Sequence, residues 1–306
     1  MQTTVNYVPV KAERMSFDHI NKHKRRGETV IEKILALCAA VFILAIFLIT
    51  LFIFAKGLPL FDKVSIVDFL FSTQWRPTKG IFGIGSMFIG SVLVTFGALL
   101  WSVPLGLCTA ILMAEIAPAK IGTALGNMVN LLAGIPSVVY GFIGLIVIVP
   151  FIRETLGGSG MSLLAGAIIL GIMVLPTIIN ISRDSLLSVP HEYKECSLAL
   201  GASHFQTISR VIVPAAKSGI ITAIVLGMGR AIGETMAVVM VTGNAAVVPG
   251  SILDPVRTMT SNIVLEMGYA TGDHQTALFA TGMVLFVFIV CLNLAVNLMA
   301  KRSEKQ

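Results

Sequence analysis

Charged residues are scarce in this sequence of 306 amino acids. They make up 12% of the chain, whereas soluble domains usually contain about 25%. Hydrophobic residues make up 56%, mean hydropathy is +0.89, and the apolar residues occur in long runs. This composition excludes an ordinary soluble domain and indicates an integral membrane protein.

Several short motifs that signal catalysis are also missing. The four cysteines have no CxxC spacing, so neither a disulfide framework nor a zinc site is indicated. There is no GxxxxGK[ST] phosphate-binding loop and no GxSxG motif, and HEYKE at 191–195 lacks the second histidine of HExxH. We therefore expect no catalytic residue, no metal site and no cofactor bound by this chain.

Six apolar stretches are long enough to cross a bilayer, which takes about 20 helical residues. Strands of a membrane barrel would alternate polar and apolar residues, and these stretches do not, so an all-α membrane protein is predicted. The predicted spans are 31–55, 86–113, 121–151, 161–182, 218–242 and 276–300. They form one permease domain at 31–300, between a basic tail at 1–30 and a short tail at 301–306.

The distribution of positive charge predicts the orientation. With the N-terminus inside, most of the 22 lysines and arginines fall on the cytoplasmic side, which favours two cytoplasmic termini. The net charge of +6 is explained by this topology, so we expect contact with membrane lipid and none with nucleic acid. The first 30 residues lack the apolar core of a signal peptide, and no processing is expected.

The inner loop, which we define as residues 183–217, is too long to be structureless in a compact protein. We expect one short helix after Pro190, an interruption at Gly201, and a second helix from Ala202 to Val213 that ends before Pro214. Exposed apolar residues here favour a docking surface for a partner. An amphipathic helix lying on the lipid is the alternative.

The inner loop resembles the EAA loop of permease subunits of type I ABC importers, whose pattern is E-A-A-x3-G-x9-I-x-L-P. Glu195, Gly201 and Pro214 match at the required spacing, and Val211 and Val213 replace Ile and Leu. Cys196 and Ser197 replace the two alanines. The resemblance implies the MetI-like permease fold and a coupling helix that docks on a separate ATPase. The residues implied in this coupling are Glu195, Ser197, Leu198, Ala199, Leu200, Gly201 and Pro214.

Three further stretches resemble the C-subunit permeases of phosphate-specific transporters. They are GIPSVVYGFIG (134–144), RAIGETMAVVMVTGN (230–244) and HQTALFATGMVLF (274–286). The resemblance implies a prokaryotic inner-membrane permease that imports inorganic phosphate and forms half of the translocation pathway. The implied partners are a homologous second permease, two ATPase subunits that use ATP with Mg²⁺, and an extracytoplasmic phosphate-binding protein.

Arg230 and Glu234 are unusual because they interrupt the fifth apolar stretch. Each charge at the centre of a membrane helix costs about 2.5–3.5 kcal/mol on insertion. In a continuous helix their spacing places them on one face, one turn apart. Gly229 and Gly233 would form a small-xxx-small face beside them, on which a neighbouring helix packs closely.

Two interpretations of the charges remain open. In the first, they satisfy each other or hold the helix against a partner subunit, although such a helical pair gains only about a few tenths of a kcal/mol. In the second, they line a pathway in which Arg230 donates to an oxyanion. Glu234 would neutralise Arg230 when the path is empty, or accept a hydrogen bond from protonated phosphate, which sulfate cannot donate at neutral pH.

Ser137, Tyr140 and Thr235 are further candidates for the pathway. Ser137 and Tyr140 follow Pro136 and would offer hydroxyl donors, whereas Thr235 neighbours Glu234. Ordinary packing and bonding to helix carbonyls are the alternative for all three.

For the whole chain, the rival functions are import of sulfate, molybdate or phosphonate, and an autonomous channel or secondary transporter.

Overall fold

The computed structural model describes the backbone of residues 18–303 and the side chains of residues 29–295. The predicted tails at 1–30 and 301–306 therefore lie partly outside the described residues. Two units make up the chain, divided after Phe52. Within the first unit, the described apolar side chains of the helix are exposed, as expected for a lipid-facing surface.

Helices account for most of the described chain, as the sequence predicted. The α-helices are α1 (Asp18–Gly57), α2 (Ile66–Phe71), α3 (Gly85–Ile111), α4 (Ala119–Gly134), α5 (Ser137–Ile143), α6 (Val149–Leu156), α7 (Leu163–Leu187), α8 (His191–Ala199), α9 (His204–Thr207), α10 (Val213–Ala215), α11 (Lys217–Gly233), α12 (Met236–Val241), α13 (Met259–Glu266) and α14 (Asp273–Ser303). Three π-helical turns extend neighbouring helices, at Leu112–Ile116, Gly144–Ile148 and Ile208–Ile212. Two 3₁₀ helices occur at Leu58–Asp62 and Pro77–Lys79. The strands β1 (Trp75–Arg76) and β2 (Ile81–Phe82) form a small antiparallel hairpin.

The predicted number of membrane spans is confirmed when one bent pair of helices is counted as a span. Among the described residues, five helical segments are long and apolar enough to cross a membrane. The remaining span, which is the fifth in chain order, is formed by the helices His204–Ala215 and Lys217–Gly233. They are bent by 67° at their junction. Among the described residues, the first helix already includes Asp18, well before residue 31, and the last extends to Ser303.

The third predicted span, 121–151, is wrong as a single helix. The chain leaves the helical conformation at Ile135 (ψ 128°) and Pro136 (ψ 142°), and a second helical segment then runs over Ser137–Leu156. A residue before proline is driven out of the α region by contact with the proline ring. This restriction separates α4 from α5.

Helix α7 is the most buried span and lies between α3 and α11. Small residues bring both neighbours close. A Cβ atom on Gly106 of α3 would lie 2.9 Å from Ile178, and one on Gly227 of α11 would lie 2.8 Å from Val174. Close backbone approach of this kind is typical of helix packing within membranes.

The predicted outer side has its own core. Leu60, Phe69 and Trp75 pack there against Met259 and Leu278. The β-hairpin and α2 therefore pack against the N-terminal ends of α13 and α14.

Candidate functional site

The predicted fifth span, 218–242, is interrupted at the predicted charge pair. A continuous helix over 218–242 is wrong, because α11 ends at Gly233 and Glu234 is extended (φ −67°, ψ 136°). Helix α12 starts two residues later, and the Glu234 carboxylate accepts a hydrogen bond from the backbone N–H of Ala237 at 3.3 Å. The hydroxyl of Thr260 donates to the Glu234 carbonyl at 2.9 Å. These bonds satisfy backbone groups that the break would otherwise leave unpaired.

The break also separates Arg230 from Glu234. No ion pair joins them among the described side chains, so their placement on one continuous helix face is wrong. Arg230 Nη1 instead donates to Thr177 Oγ1 of α7 across a long 3.4 Å. A guanidinium has five N–H donors, and most of those of Arg230 are not taken up by described residues.

One face of α11 remains uncovered. Ala223, Gly227 and Ala231 are buried against the neighbouring helices, whereas Leu226 and Arg230 are exposed. A Cβ atom at Gly229 or Gly233 would meet nothing within 4 Å. Among the described residues no helix packs on these two glycines, and the close contacts of α11 with α7 are made at Gly219 and Gly227. Their predicted packing role therefore stays a prediction.

The three hydroxyl candidates have different surroundings. Tyr140 is buried (7% exposed), and its hydroxyl donates to the carbonyl of Leu132 at 2.8 Å, which satisfies an end of α4. Thr235 donates to the carbonyl of Gly233 at 3.2 Å within the break. Ser137 is half-buried at the first position of α5. Their part in a pathway stays a prediction, and the hydroxyl proton of Tyr140 is already donated to Leu132.

The inner loop is folded, as predicted, although its second helix has different bounds. Helix α8 follows Pro190, and Gly201 adopts a left-handed conformation (φ 85°) that ends the first element. The second element begins after Ser203, which forms a capping box with Gln206. It continues through a π-helical turn and past Pro214 to Ala215, because proline is tolerated in the first turn of α10.

Most of the side chains predicted to dock on a partner are exposed, and Ser197 is half-buried. Leu200 is 89% exposed and Leu198 is 41% exposed. Glu195 and Ala199 are also exposed, and Phe205 extends the apolar surface onto α9. Pro214 is exposed further along the second element.

Two polar contacts that sequence reasoning missed hold α8 in place. Lys194 Nζ lies 2.6 Å from Glu115 Oε2, and the Glu115 side chain is only 8% exposed. Ser197, predicted for coupling, pairs its hydroxyl with that of Thr207 at 3.0 Å. Glu115 is 79 residues from Lys194 in the chain, and no motif spacing signals such a pair.

A buried glutamate on the predicted outer side was also missed. Glu266 Oε1 lies 2.6 Å from Arg257 Nη1, and Glu266 Oε2 accepts from Trp75 Nε1 at 2.8 Å. His274 Nε2 lies 2.8 Å from the same Oε2 atom. Arg257 also donates to Asn262 Oδ1 and to the carbonyl of Asn244. This cluster of hydrogen-bonded side chains borders a surface cavity of about 510 Å³.

The sequence is similar to characterised families of transport permeases. The profile described as "Binding-protein-dependent transport system inner membrane component" matches residues 103–305. A "Probable ABC transporter permease protein YqgH" of Bacillus subtilis (strain 168) is 45% identical over 89% of this chain and 90% of its own length. A "Phosphate transport system permease protein PstC" of Mesorhizobium japonicum is 37% identical over 72% of this chain and 74% of its own length. A protein with the same name from Xylella fastidiosa (strain Temecula1) is 33% identical over 78% and 80%.

Solved structures share the fold at low sequence identity. A bacterial ABC transporter involved in the import of the acidic polysaccharide alginate matches with a TM-score of 0.63 and 15% identity, over 91% of this chain and 99% of that one. An inward-facing MetNI methionine ABC transporter matches with a TM-score of 0.56 and 22% identity, over 70% and 93%. These likenesses confirm the predicted type I permease fold.

Proposed function

Because the chain belongs to the family of binding-protein-dependent transport system inner membrane components, we propose that it is a membrane permease subunit of an ATP-driven importer of inorganic phosphate. The observation that carries the choice of phosphate is its similarity to several phosphate transport permeases over more than 70% of both chains. The exposed arginine in the fifth span is chemically compatible with an oxyanion.

The proposal includes a defined assembly in the inner membrane. A permease of this family works with an ATPase and a substrate-binding protein. We propose that this chain forms half of the pathway beside a homologous second permease, and that two ATPase subunits bind ATP and Mg²⁺ on the cytoplasmic side. An extracytoplasmic phosphate-binding protein delivers the substrate. Both termini lie in the cytoplasm, consistent with the distribution of positive charge.

Arg230 is proposed as the hydrogen-bond donor that binds phosphate in the pathway. It lies on the uncovered face of α11, and its one hydrogen bond to a described residue is the long contact to Thr177. A charged group in a span is costly unless it has partners or water. Phosphate oxygens would supply those partners, and the second permease subunit, packed near Gly229 and Gly233, would enclose the site.

Glu234 is proposed as the acceptor that recognises protonated phosphate. One of its carboxylate oxygens caps α12 through Ala237, and a carboxylate has further acceptor capacity. An unprotonated oxyanion such as sulfate would leave this acceptor unpaired and would be disfavoured. The separation from Arg230 means that Glu234 does not cancel the arginine charge by direct contact.

The test of function is ATP-driven uptake by the complex reconstituted in proteoliposomes with its binding protein. We expect import of labelled phosphate that excess sulfate or molybdate does not suppress. Import of sulfate or molybdate in preference to phosphate would overturn the substrate assignment. Import that persists without the ATPase subunits would indicate a channel or secondary transporter instead.

Coupling through the inner loop has a separate test. Gly201→Pro forces a φ near −65° where the structure has +85°, and Glu195→Lys reverses an exposed charge on α8. Both variants should hydrolyse ATP with little phosphate import, whereas the exposed Lys120→Gln on the same side should behave as wild type. Unchanged ATP-driven import in both loop variants would count against docking at this surface.

A further inference from the structure

Helix α8 is attached to the protein in an unusual way. None of its nine residues is buried, and only Lys194 and Ser197 are partly buried. These two residues are three positions apart and so lie on one face of the helix. Most surface helices are held by an apolar face. In α8 the inward face is polar, and each of its two side chains makes one specific contact.

The two contacts lead to different parts of the structure. The Ser197 hydroxyl bonds to Thr207 at 3.0 Å, so this contact stays within the inner loop. The Lys194 ammonium instead reaches Glu115, at the inner end of the second span. Lys194 is therefore a direct side-chain link between α8 and a span that is not adjacent to it in the chain.

Glu115 occupies a place where the second span is irregular. It lies in the π-helical turn Leu112–Ile116, which extends α3 and ends before Pro118. Such turns interrupt regular helical hydrogen bonding. The side chains of Glu115 and Lys194 are 8% and 29% exposed, so salt screens their attraction less than it screens a surface pair.

We infer that the Lys194–Glu115 ion pair transmits the displacement of α8 to the second span. The two residues act as positioning residues that couple ATP hydrolysis to transport. This inference rests on the proposed function, because it takes α8 as the surface on which the ATPase docks. Helix α3 packs along α7, which in turn contacts Arg230 through Thr177. Movement at Glu115 would therefore reach α7, whose Thr177 contacts Arg230, the residue proposed to bind phosphate.

The test uses charge reversal and exchange in the reconstituted complex. Lys194→Glu and Glu115→Lys are made singly and together, with Lys120→Glu on the same side as the matched control. The amount of assembled complex, its ATPase rate and its phosphate import are measured for each. Loss of a purely structural pair would change the amount of complex. Loss of a pair that couples hydrolysis to transport would change the phosphate imported per ATP hydrolysed.

We expect each single reversal to lower phosphate import per ATP at least about fivefold, and the double exchange to restore more than half of it. If a reversal prevents assembly, Lys194→Gln keeps a donor without the charge and should lower the ratio about threefold. Wild-type ratios in assembled single variants, or no recovery in the assembled double variant, would overturn the inference. Failure of the wild-type complex to import phosphate would instead overturn the proposed function.

Discussion

Arg257 with Glu266 and Arg230 with Glu234 are two sets of oppositely charged residues whose surroundings differ. Arg257 and Glu266, on the predicted outer side, lie 2.6 Å apart, and further hydrogen bonds surround both side chains. Arg230 and Glu234 lie in the fifth span without an ion pair between them, and Arg230 is exposed on an uncovered helix face. The first set is paired within its own chain. The second set retains hydrogen-bond donors and acceptors that no described residue uses, so a ligand or another chain could bind to them.

This contrast separates a structural role from a transport role. A buried charge with complete hydrogen bonding fixes the loops around it, and its removal leaves its partners unpaired. A charge in a span with unused donors is compatible with a transported ion, because the ion can supply the missing partners.

Arg257→Met should have the largest effect on folding. It leaves Glu266 buried without its cation, which costs about 3–5 kcal/mol. We expect a lower unfolding temperature of the purified complex, and normal import per remaining folded complex. Lys63→Met removes the exposed Lys63–Asp273 pair nearby, and it should cost at most about 1 kcal/mol. Equal stability of the two variants would contradict the structural role of Arg257.

Arg230→Gln should affect transport rather than folding. Loss of hydrogen bonds from a charged donor is worth about 1.5–3 kcal/mol, which corresponds to about a tenfold to hundredfold loss of phosphate import. The unfolding temperature should stay near that of the wild type, because Thr177 is the one described partner lost. Arg153→Gln, an exposed arginine on α6, serves as the control. Normal import by Arg230→Gln would leave only a helix-holding role.

Glu234→Gln should have a smaller effect that depends on the anion. The amide oxygen still accepts from Ala237, but a charged acceptor is replaced by a neutral one. A difference of about 0.5–1.5 kcal/mol predicts an approximately twofold to tenfold loss of phosphate preference over sulfate in competition assays. Glu154→Gln, on the exposed end of α6, should leave the preference unchanged. An unaltered preference in Glu234→Gln would remove the proposed acceptor role.

Thr177→Val should have the smallest effect. It removes the acceptor of a 3.4 Å bond and leaves the side-chain volume nearly unchanged. A bond this long is weak, and phosphate import should change by less than about threefold. Thr222→Val is the matched control, since that hydroxyl bonds to its own helix at Ser218. A loss as large as that of Arg230→Gln would show that Thr177 itself contributes to the pathway.

Hydropathy predicted the helical class and the number of spans because lipid imposes long apolar segments on any membrane helix. It could not predict the break at Glu234. Hydropathy is averaged over a window of residue types, and this average does not show where the backbone of one residue becomes extended. Local signals were present. Gly233 is a poor helix former, and Pro136 restricts Ile135.

The partnered groups were beyond sequence reasoning for a different reason. Glu266 meets Trp75 across 191 residues of chain, and Lys194 meets Glu115 across 79. Such contacts depend on how the helices pack, and neither local propensity nor motif spacing encodes them. The inner loop was predicted better because Pro190 and Gly201 act locally on the backbone.

The most direct test of the account is whether water reaches the uncovered face of α11 in the assembled complex. Leu226→Cys places a thiol on that face, one turn before Arg230, after Cys38, Cys108, Cys196 and Cys291 have been replaced by serine. Phe47→Cys on the exposed apolar surface of α1 is the matched control. A charged, water-soluble thiol reagent should label position 226 but not position 47, and saturating phosphate during ATP turnover should change the labelling rate at 226. Labelling of neither position would contradict a water-lined phosphate path along α11.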